Sequence, residues 1–183
     1  MPARWPQNGP GRRVFETPIF DVDTERLVSP RTGREHAFFV LGCADWCNIV
    51  ALTDDNQVVM VRQFRYGRGE ETLELPGGMV DPSDPSPLEA ARRELLEETG
   101  YVAEDLIQTG VIAPNPAMQR NRTWSYLARG VRQANTRHLD DGEDIEVVLV
   151  PYQEIPARVA AGEISHALVV VAFAFALGLK GPP

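Results

Sequence analysis

Two apolar runs, Cys47-Asn48-Ile49-Val50-Ala51-Leu52 and Gln57-Val58-Val59-Met60-Val61-Arg62-Gln63-Phe64, flank the polar stretch Thr53-Asp54-Asp55-Asn56. Short apolar runs separated by turn-forming residues predict a β-hairpin. Earlier in the chain, residues 12–22 and 26–40 alternate enough to read as hairpin strands, with Ser29-Pro30-Arg31-Thr32-Gly33 as the turn. They predict a small N-terminal β appendage. Residues 107–112, 123–129 and 146–150 read as further strands, and residues 152–161 and 165–177 as helices. The run from Ala167 to Leu177 is shorter than the ~20 residues a membrane span needs, so it is expected to be a buried helix and no membrane partner is expected. There is no internal repeat and no long linker.

Between these strands the period changes to that of a helix. Leu88, Ala91 and Leu95 form an apolar stripe, Ser86 is placed as N-cap before Pro87, Glu89 closes a capping box, and Gly100 is a natural left-handed stop. Glu94, Glu97 and Glu98 follow the i, i+3, i+4 spacing and stack on one face. Like charges ~4 Å apart cost about 4 kcal/mol at an effective dielectric of ~20. Taken alone, the three acids fit a solvated helix face best, because acidic runs on exposed helices are common. The segment Leu73-Glu74-Leu75-Pro76-Gly77-Gly78-Met79-Val80-Asp81 reverses that preference. It reads as a strand end breaking into a Gly-Gly turn whose backbone can approach a ligand closely. Oxygen ligands without neighbouring His or Cys suit Mg²⁺ or Mn²⁺ rather than Zn²⁺.

Gly78, an acid six residues on at Asp84, and Arg93-Glu94-Leu95-Leu96-Glu97-Glu98-Thr99-Gly100-Tyr101 together resemble the signature box of the Nudix hydrolases. The family usually has Glu where Asp84 stands and one residue fewer before the arginine. The resemblance implies an α/β/α sandwich with a mixed sheet and hydrolysis of a nucleoside diphosphate linked to another moiety. It also implies metal ligation by the carbonyl of Gly77 and the carboxylates of Glu94 and Glu98, with Glu97 close by. Arg93 is then expected to orient the glutamates by salt bridging.

The stretch Val61-Arg62-Gln63-Phe64-Arg65-Tyr66-Gly67, followed by residues 71–75 and Pro76-Gly77-Gly78, resembles the branch that cleaves ADP-ribose and other nucleoside diphosphate sugars. That branch implies a β subdomain at residues 1–45, dimerising so that subunits share active sites, and a Nudix hydrolase domain at 46–183. Arg65 can clamp a phosphate through its planar fork or be a strand-end surface charge. Glu74 can accept from a base or ribose hydroxyl or simply pair with Arg65. Trp46 and Phe38 can stack on a base or belong to the core. Asn115 and Gln119, in the amide- and arginine-rich loop 115–122, can recognise a sugar or phosphate or form an ordinary polar connection. Sugar-nucleotide members carry a catalytic glutamate in a loop comparable to residues 139–147, which puts Glu143 forward as general base with Asp141 second. The acids there can also be merely solvated. His36, His138 and His166 form no cluster in the sequence and read as structural.

Composition adds limits. The 183 residues carry a net charge of -8 and 43% hydrophobic residues, which suits a globular enzyme and argues against a nucleic-acid polymer as partner. Cys43 and Cys47, without a His cluster, fit neither a zinc site nor a disulfide framework and are expected as free thiols. The opening residues do not read as a signal peptide, so the cytoplasm is the expected compartment. The expected activity is metal-dependent cleavage of a nucleotide sugar to a nucleoside monophosphate and a sugar phosphate. A house-cleaning nucleoside triphosphatase and a non-catalytic nucleotide-sugar sensor are the alternatives.

Overall fold

The computed structural model describes residues 5–134, 137, 139, 144–176 and 178. The chain divides into two compact units, one made of Met1–Ala44 with Ala113–Arg122, the other of Asp45–Ile112 with Thr123–Pro183.

The first unit is an antiparallel sheet of β1 (Arg12–Glu16), β2 (Phe20–Val28) and β3 (Glu35–Cys43), in the order β1-β2-β3. The alternation expected to run through residues 12–22 is broken at Thr17. Its hydroxyl accepts from the N–H groups of Ile19 and Phe20, and Pro18 has no N–H to offer a ladder. The expected turn at Ser29–Gly33 joins β2 to β3, closed by Gly33 N–H donating to the Ser29 carbonyl at 2.8 Å. Register puts Phe15, Phe20, Val22, Phe39 and Leu41 on one face. Asp21, Asp23 and Glu25 lie on the other, where Arg13 and Arg120 neutralise them.

The second unit is built on a mixed sheet. Its strands are β4 (Trp46–Leu52), β5 (Gln57–Arg65), β6 (Glu70–Glu74), β8 (Leu106–Ile112), β9 (Thr123–Arg129) and β11 (Ile145–Pro151), ordered β11-β5-β4-β9-β8 with β6 on β5. Strands β4 and β9 run parallel and the other pairs antiparallel. The two-residue strands β7 (Tyr101–Val102) and β10 (Arg132–Gln133) pair apart from this sheet and carry no sequence signal of their own. Helix α1 (Pro87–Thr99) covers one face, packing Ala90, Ala91 and Leu95 on Cys47, Ile49, Ala51 and Val59. Helices α2 (Ile155–Ala160) and α3 (Ala167–Ala176) cover the other, where Val50, Leu52, Val58 and Met60 meet Ile155, Val169 and Phe173. The β4 run is apolar on both faces because both faces are covered. The expected helix at 152–161 starts as a 3-10 turn, Tyr152–Glu154. No helix among the described residues is long and apolar enough to cross a membrane.

One feature of the sheet positions the site. Strand β5 pairs with β4 only at Ala51 and Leu52, then diverges to pair with β6. The vacated edge of β4 is taken by the glycine loop: Cys47 N–H donates to the Gly78 carbonyl at 2.9 Å and Ile49 N–H to the Pro76 carbonyl at 3.0 Å.

Candidate active site

Helix α1 begins and ends where local chemistry dictates. Ser86 Oγ accepts from Glu89 N–H at 3.3 Å, and Gly100, at φ 73°, closes the last turn on the Leu96 carbonyl. The helix turns two carboxylates inward: Glu94 is 9% exposed and Glu98 3%. A buried charge is tolerated only with partners, and Arg93 is one of them for Glu94. Its Nη1 donates to Glu94 Oε1 and to Glu97 Oε2, both at 2.9 Å. Its Nε and Nη2 reach Asp84 at 3.1 and 3.0 Å, and Nη2 also meets the Met79 carbonyl. The hydrogen bonds to Asp84 and the surrounding acids raise the Arg93 pKa further, and the same bonds hold the Asp84 carboxyl below the usual range. The extra loop residue before Arg93 thus leaves Asp84 within reach, its Oδ2 also accepting from Asp81 N–H at 2.8 Å.

Two glycines make room for the acids. At Gly77, φ is 152° and a Cβ would lie 2.2 Å from the Cys47 carbonyl oxygen, so no other residue fits. Its N–H donates to Glu98 Oε2 at 2.8 Å. A Cβ on Gly78 would stand 2.6 Å from Glu94 Oε1. Among the described residues no three His, Cys, Asp or Glu side chains are arranged to hold a metal ion. Within the trio read from the spacing, Arg93 Nη1 bridges Glu94 and Glu97, which relieves their mutual repulsion. The narrower set of Glu94, Glu98 and the Gly77 backbone does gather at one loop–helix junction, and its all-oxygen donors fit a hard divalent cation.

Beside this junction lies a cavity of about 720 Å³, within the size range of small-molecule sites. Trp46, Arg65, Glu74 and Gly77 all line it. Glu74 is 2% exposed and receives the Arg65 fork at 2.8 and 2.7 Å and the Thr72 hydroxyl at 2.6 Å. Burial pushes the Glu74 carboxyl up, but the bonds from Arg65 and Thr72 outweigh it and the net shift is down. Of its two sequence readings, pairing with Arg65 is the one realised in this geometry.

Asn115 and Gln119 belong to the first unit, where Gln119 forms a bridge to Leu41 and Gln119 N–H donates to the Asn115 carbonyl. Phe38, also in the first unit, packs edge-on against Trp5. Glu143, Asp141 and His138 lie outside the described residues. Cys43 and Cys47 form no disulfide, and burial drives the Cys47 thiol up to about 12. The sequence reading missed Asn48, Thr123, Tyr66, Arg68 and His166 as cavity residues. Asn48 alone carried a signal, as the one amide inside an apolar strand.

A model of the NUDIX domain matches residues 47–169. The chain is 29% identical over 164 residues to the ADP-ribose pyrophosphatase of Bacillus subtilis (strain 168), covering 89% of this chain and 88% of that one. It is 33% identical over 127 residues to the ADP-sugar pyrophosphatase of Mus musculus, covering 67% of this chain and 58% of the mouse protein. A crystal structure described as an ADP compounds hydrolase superposes with a TM-score of 0.80 at 21% identity, over 92% of this chain and 90% of that one, and shares the fold.

Proposed function

Because this chain belongs to the Nudix family of hydrolases, we propose that it cleaves the pyrophosphate bond of nucleoside diphosphate sugars, ADP-ribose or a related compound, into a nucleoside monophosphate and a sugar phosphate. The observation that carries this reading is the junction of Glu94, Glu98 and the Gly77 loop beside a cavity bordered by a carboxylate-held arginine. The named activities of the bacterial and mouse relatives support the choice of substrate class.

Members of the family generally use divalent metal ions. Glu94, Glu98 and the Gly77 carbonyl are the residues that would hold Mg²⁺, or Mn²⁺, which supplies charge neutralisation and an activated water when bound. Arg93 holds Glu94 and Glu97 in place through ion pairs at 2.9 Å. Arg65, positioned by the bonds from its Nε and Nη2 to Glu74, donates to a phosphate oxygen. Trp46 forms a flat wall for the organic part of the substrate. Glu143 takes the proton of the attacking water while the oxygen bonds to phosphorus and the bridging oxygen departs.

We also infer a homodimer formed through the N-terminal sheet. Its apolar face exposes Phe15 and Phe39 at 56% and 64%, more than a sheet leaves open without a partner. Thiols at Cys43 and Cys47 that are not joined in a disulfide support a reducing compartment such as the cytoplasm.

The test is incubation with Mg²⁺ and a panel of ADP-ribose, ADP-glucose, UDP-glucose, GDP-mannose, dGTP and diadenosine polyphosphates, with products separated chromatographically. Release of monophosphate and sugar phosphate from the diphosphate sugars is expected. Cleavage of dGTP alone would replace this reading with nucleotide house-cleaning, and binding without turnover would replace it with a sensor.

A further inference from the structure

The cavity carries two kinds of polar group. Toward β5 and β6 are charges: Arg65, held by Glu74, and Arg68, held by Glu70. On the sheet are neutral groups from two parallel strands. Trp46 stands opposite Thr123 and Asn48 opposite Ser125, so Trp46, Asn48 and Thr123 share the sheet face that carries α3. Asn48 is 6% exposed and Thr123 1%. Asn48 Oδ1, Thr123 Oγ1 and His166 Nδ1 are buried without a hydrogen-bond partner among the described residues. Of the five such side-chain atoms, these three belong to residues lining this one cavity. Buried polar atoms without partners are rare because each forfeits its hydration, and a concentration of them at a cavity wall calls for a ligand.

Their chemistry restricts what that ligand offers. Asn48 Nδ2 donates to the Leu168 carbonyl at 3.2 Å, which orients the amide so that Oδ1 is the acceptor left over. An amide oxygen repels phosphate oxygens and requires a donor. We propose that this floor is a neutral recognition subsite. Asn48 Oδ1 and Thr123 Oγ1, assisted by His166 Nδ1, bind an uncharged hydrogen-bond donor on the organic part of the ligand, while its phosphates lie toward the charged rim. The donor is a sugar hydroxyl or the amino group of a base, which present the same chemistry. This rests on the nucleotide-sugar reading and deepens it. Both oxygens are sealed from bulk water, so engagement moves the Ser165 to Val169 wall slightly outward, against the Asn48–Leu168 bond.

The test is calorimetric binding of ribose 5-phosphate, AMP and inorganic phosphate to the wild type, Thr123→Val and Thr123→Ser. Valine keeps the shape of threonine and removes the hydroxyl; serine keeps the hydroxyl. The expected result is a loss of about tenfold or more in affinity for ribose 5-phosphate or AMP in the valine variant, recovery in the serine variant, and unchanged affinity for inorganic phosphate. Weakening of ribose 5-phosphate assigns the floor to the sugar; weakening of AMP alone assigns it to the base. Unchanged affinity for both, or an equal loss for inorganic phosphate, overturns the proposal. Should the valine variant not fold, the same contrast is read on the wild type with AMP against purine riboside 5′-monophosphate and ribose 5-phosphate against its 2-deoxy analogue, where equal affinities within both pairs overturn it. Since no turnover is needed, a chain inactive on nucleotide sugars that still discriminates fails only the functional reading, and an active one that does not discriminate fails only this proposal.

Discussion

Around Arg93, buried carboxylates are tied to a guanidinium, a backbone amide and one another's neighbours, whereas on the sheet floor Asn48 Oδ1 and Thr123 Oγ1 are buried with no partner at all among the described residues. Both regions border the same loop and strand, β4, yet their polar groups are handled in opposite ways. The charged region holds its acids in position through internal pairing, because an unpaired buried charge would cost more than the fold can sustain. The neutral region can leave hydrogen bonds unmade, since an orphaned hydroxyl or amide oxygen costs only about 1–3 kcal/mol. A site can therefore reserve neutral atoms for a ligand more cheaply than charged ones.

Replacing either region's key groups separates these roles, and the largest effect is expected at the acids. Glu98→Gln is isosteric and keeps an acceptor for Gly77 N–H, so the thermal midpoint should change little while turnover falls at least ~100-fold; near-normal turnover would remove Glu98 from the metal set. Arg93→Ala strands Glu94 and is expected to lower stability by about 3 kcal/mol, read from urea denaturation, with Arg93→Lys restoring little because an ammonium cannot match the fork. Glu74→Gln loosens Arg65 and should raise KM about tenfold with a smaller change in kcat; an equal fall in kcat and kcat/KM with KM unchanged would place Arg65 in the transition state instead.

The pH response sharpens the contrast further. Asp84 has its folded pKa depressed by Arg93, so its stabilising contribution is fully present above its unfolded value of about 3.9 and is lost as pH falls through the lower folded value. Melting midpoints followed from pH ~5 down to ~2 should therefore drop less steeply in Asp84→Asn than in the wild type. The smallest effect belongs to the floor: Thr123→Val should raise the midpoint by a few degrees by removing an unpaired buried hydroxyl. A lower midpoint would mean that the hydroxyl is satisfied within the folded chain.

Most of the second unit's elements are legible in the pattern of residues. The helix Pro87–Thr99 is marked at both ends by Ser86 and Gly100, and the β4–β5 hairpin by Thr53 to Asn56 between two apolar runs. The N-terminal sheet was legible as β structure but not in its strand count, because the break at Thr17 depends on a hydroxyl bonding to its own neighbours. The grouping of Ala113–Arg122 with that sheet had no local signal; it rests on backbone bonds between Leu41 and both Met118 and Arg120. Within the site, Glu94, Glu98 and Gly77 were legible because spacing on one helix and a Gly-Gly turn are local facts. Asn48, Thr123 and His166 were not, because they come together only across a parallel strand pair and a helix more than a hundred residues away from Asn48.

By itself the sequence determined the capped acidic helix, the glycine turn before it and the apolar strands that sandwich between helices, since each depends on contacts within a few residues or on a repeating period. Only the tertiary structure decided that Arg93 Nη1 would bridge Glu94 and Glu97 while its other groups hold Asp84, that the pairing with Arg65 would be the reading of Glu74 that is realised, and that the floor oxygens would be buried without a partner among the described residues. Those outcomes turn on which groups end up within about 3 Å of each other once solvent is excluded, and that distance is set by the divergence of β5 from β4 and the packing of α3, not by the order of residues along either strand.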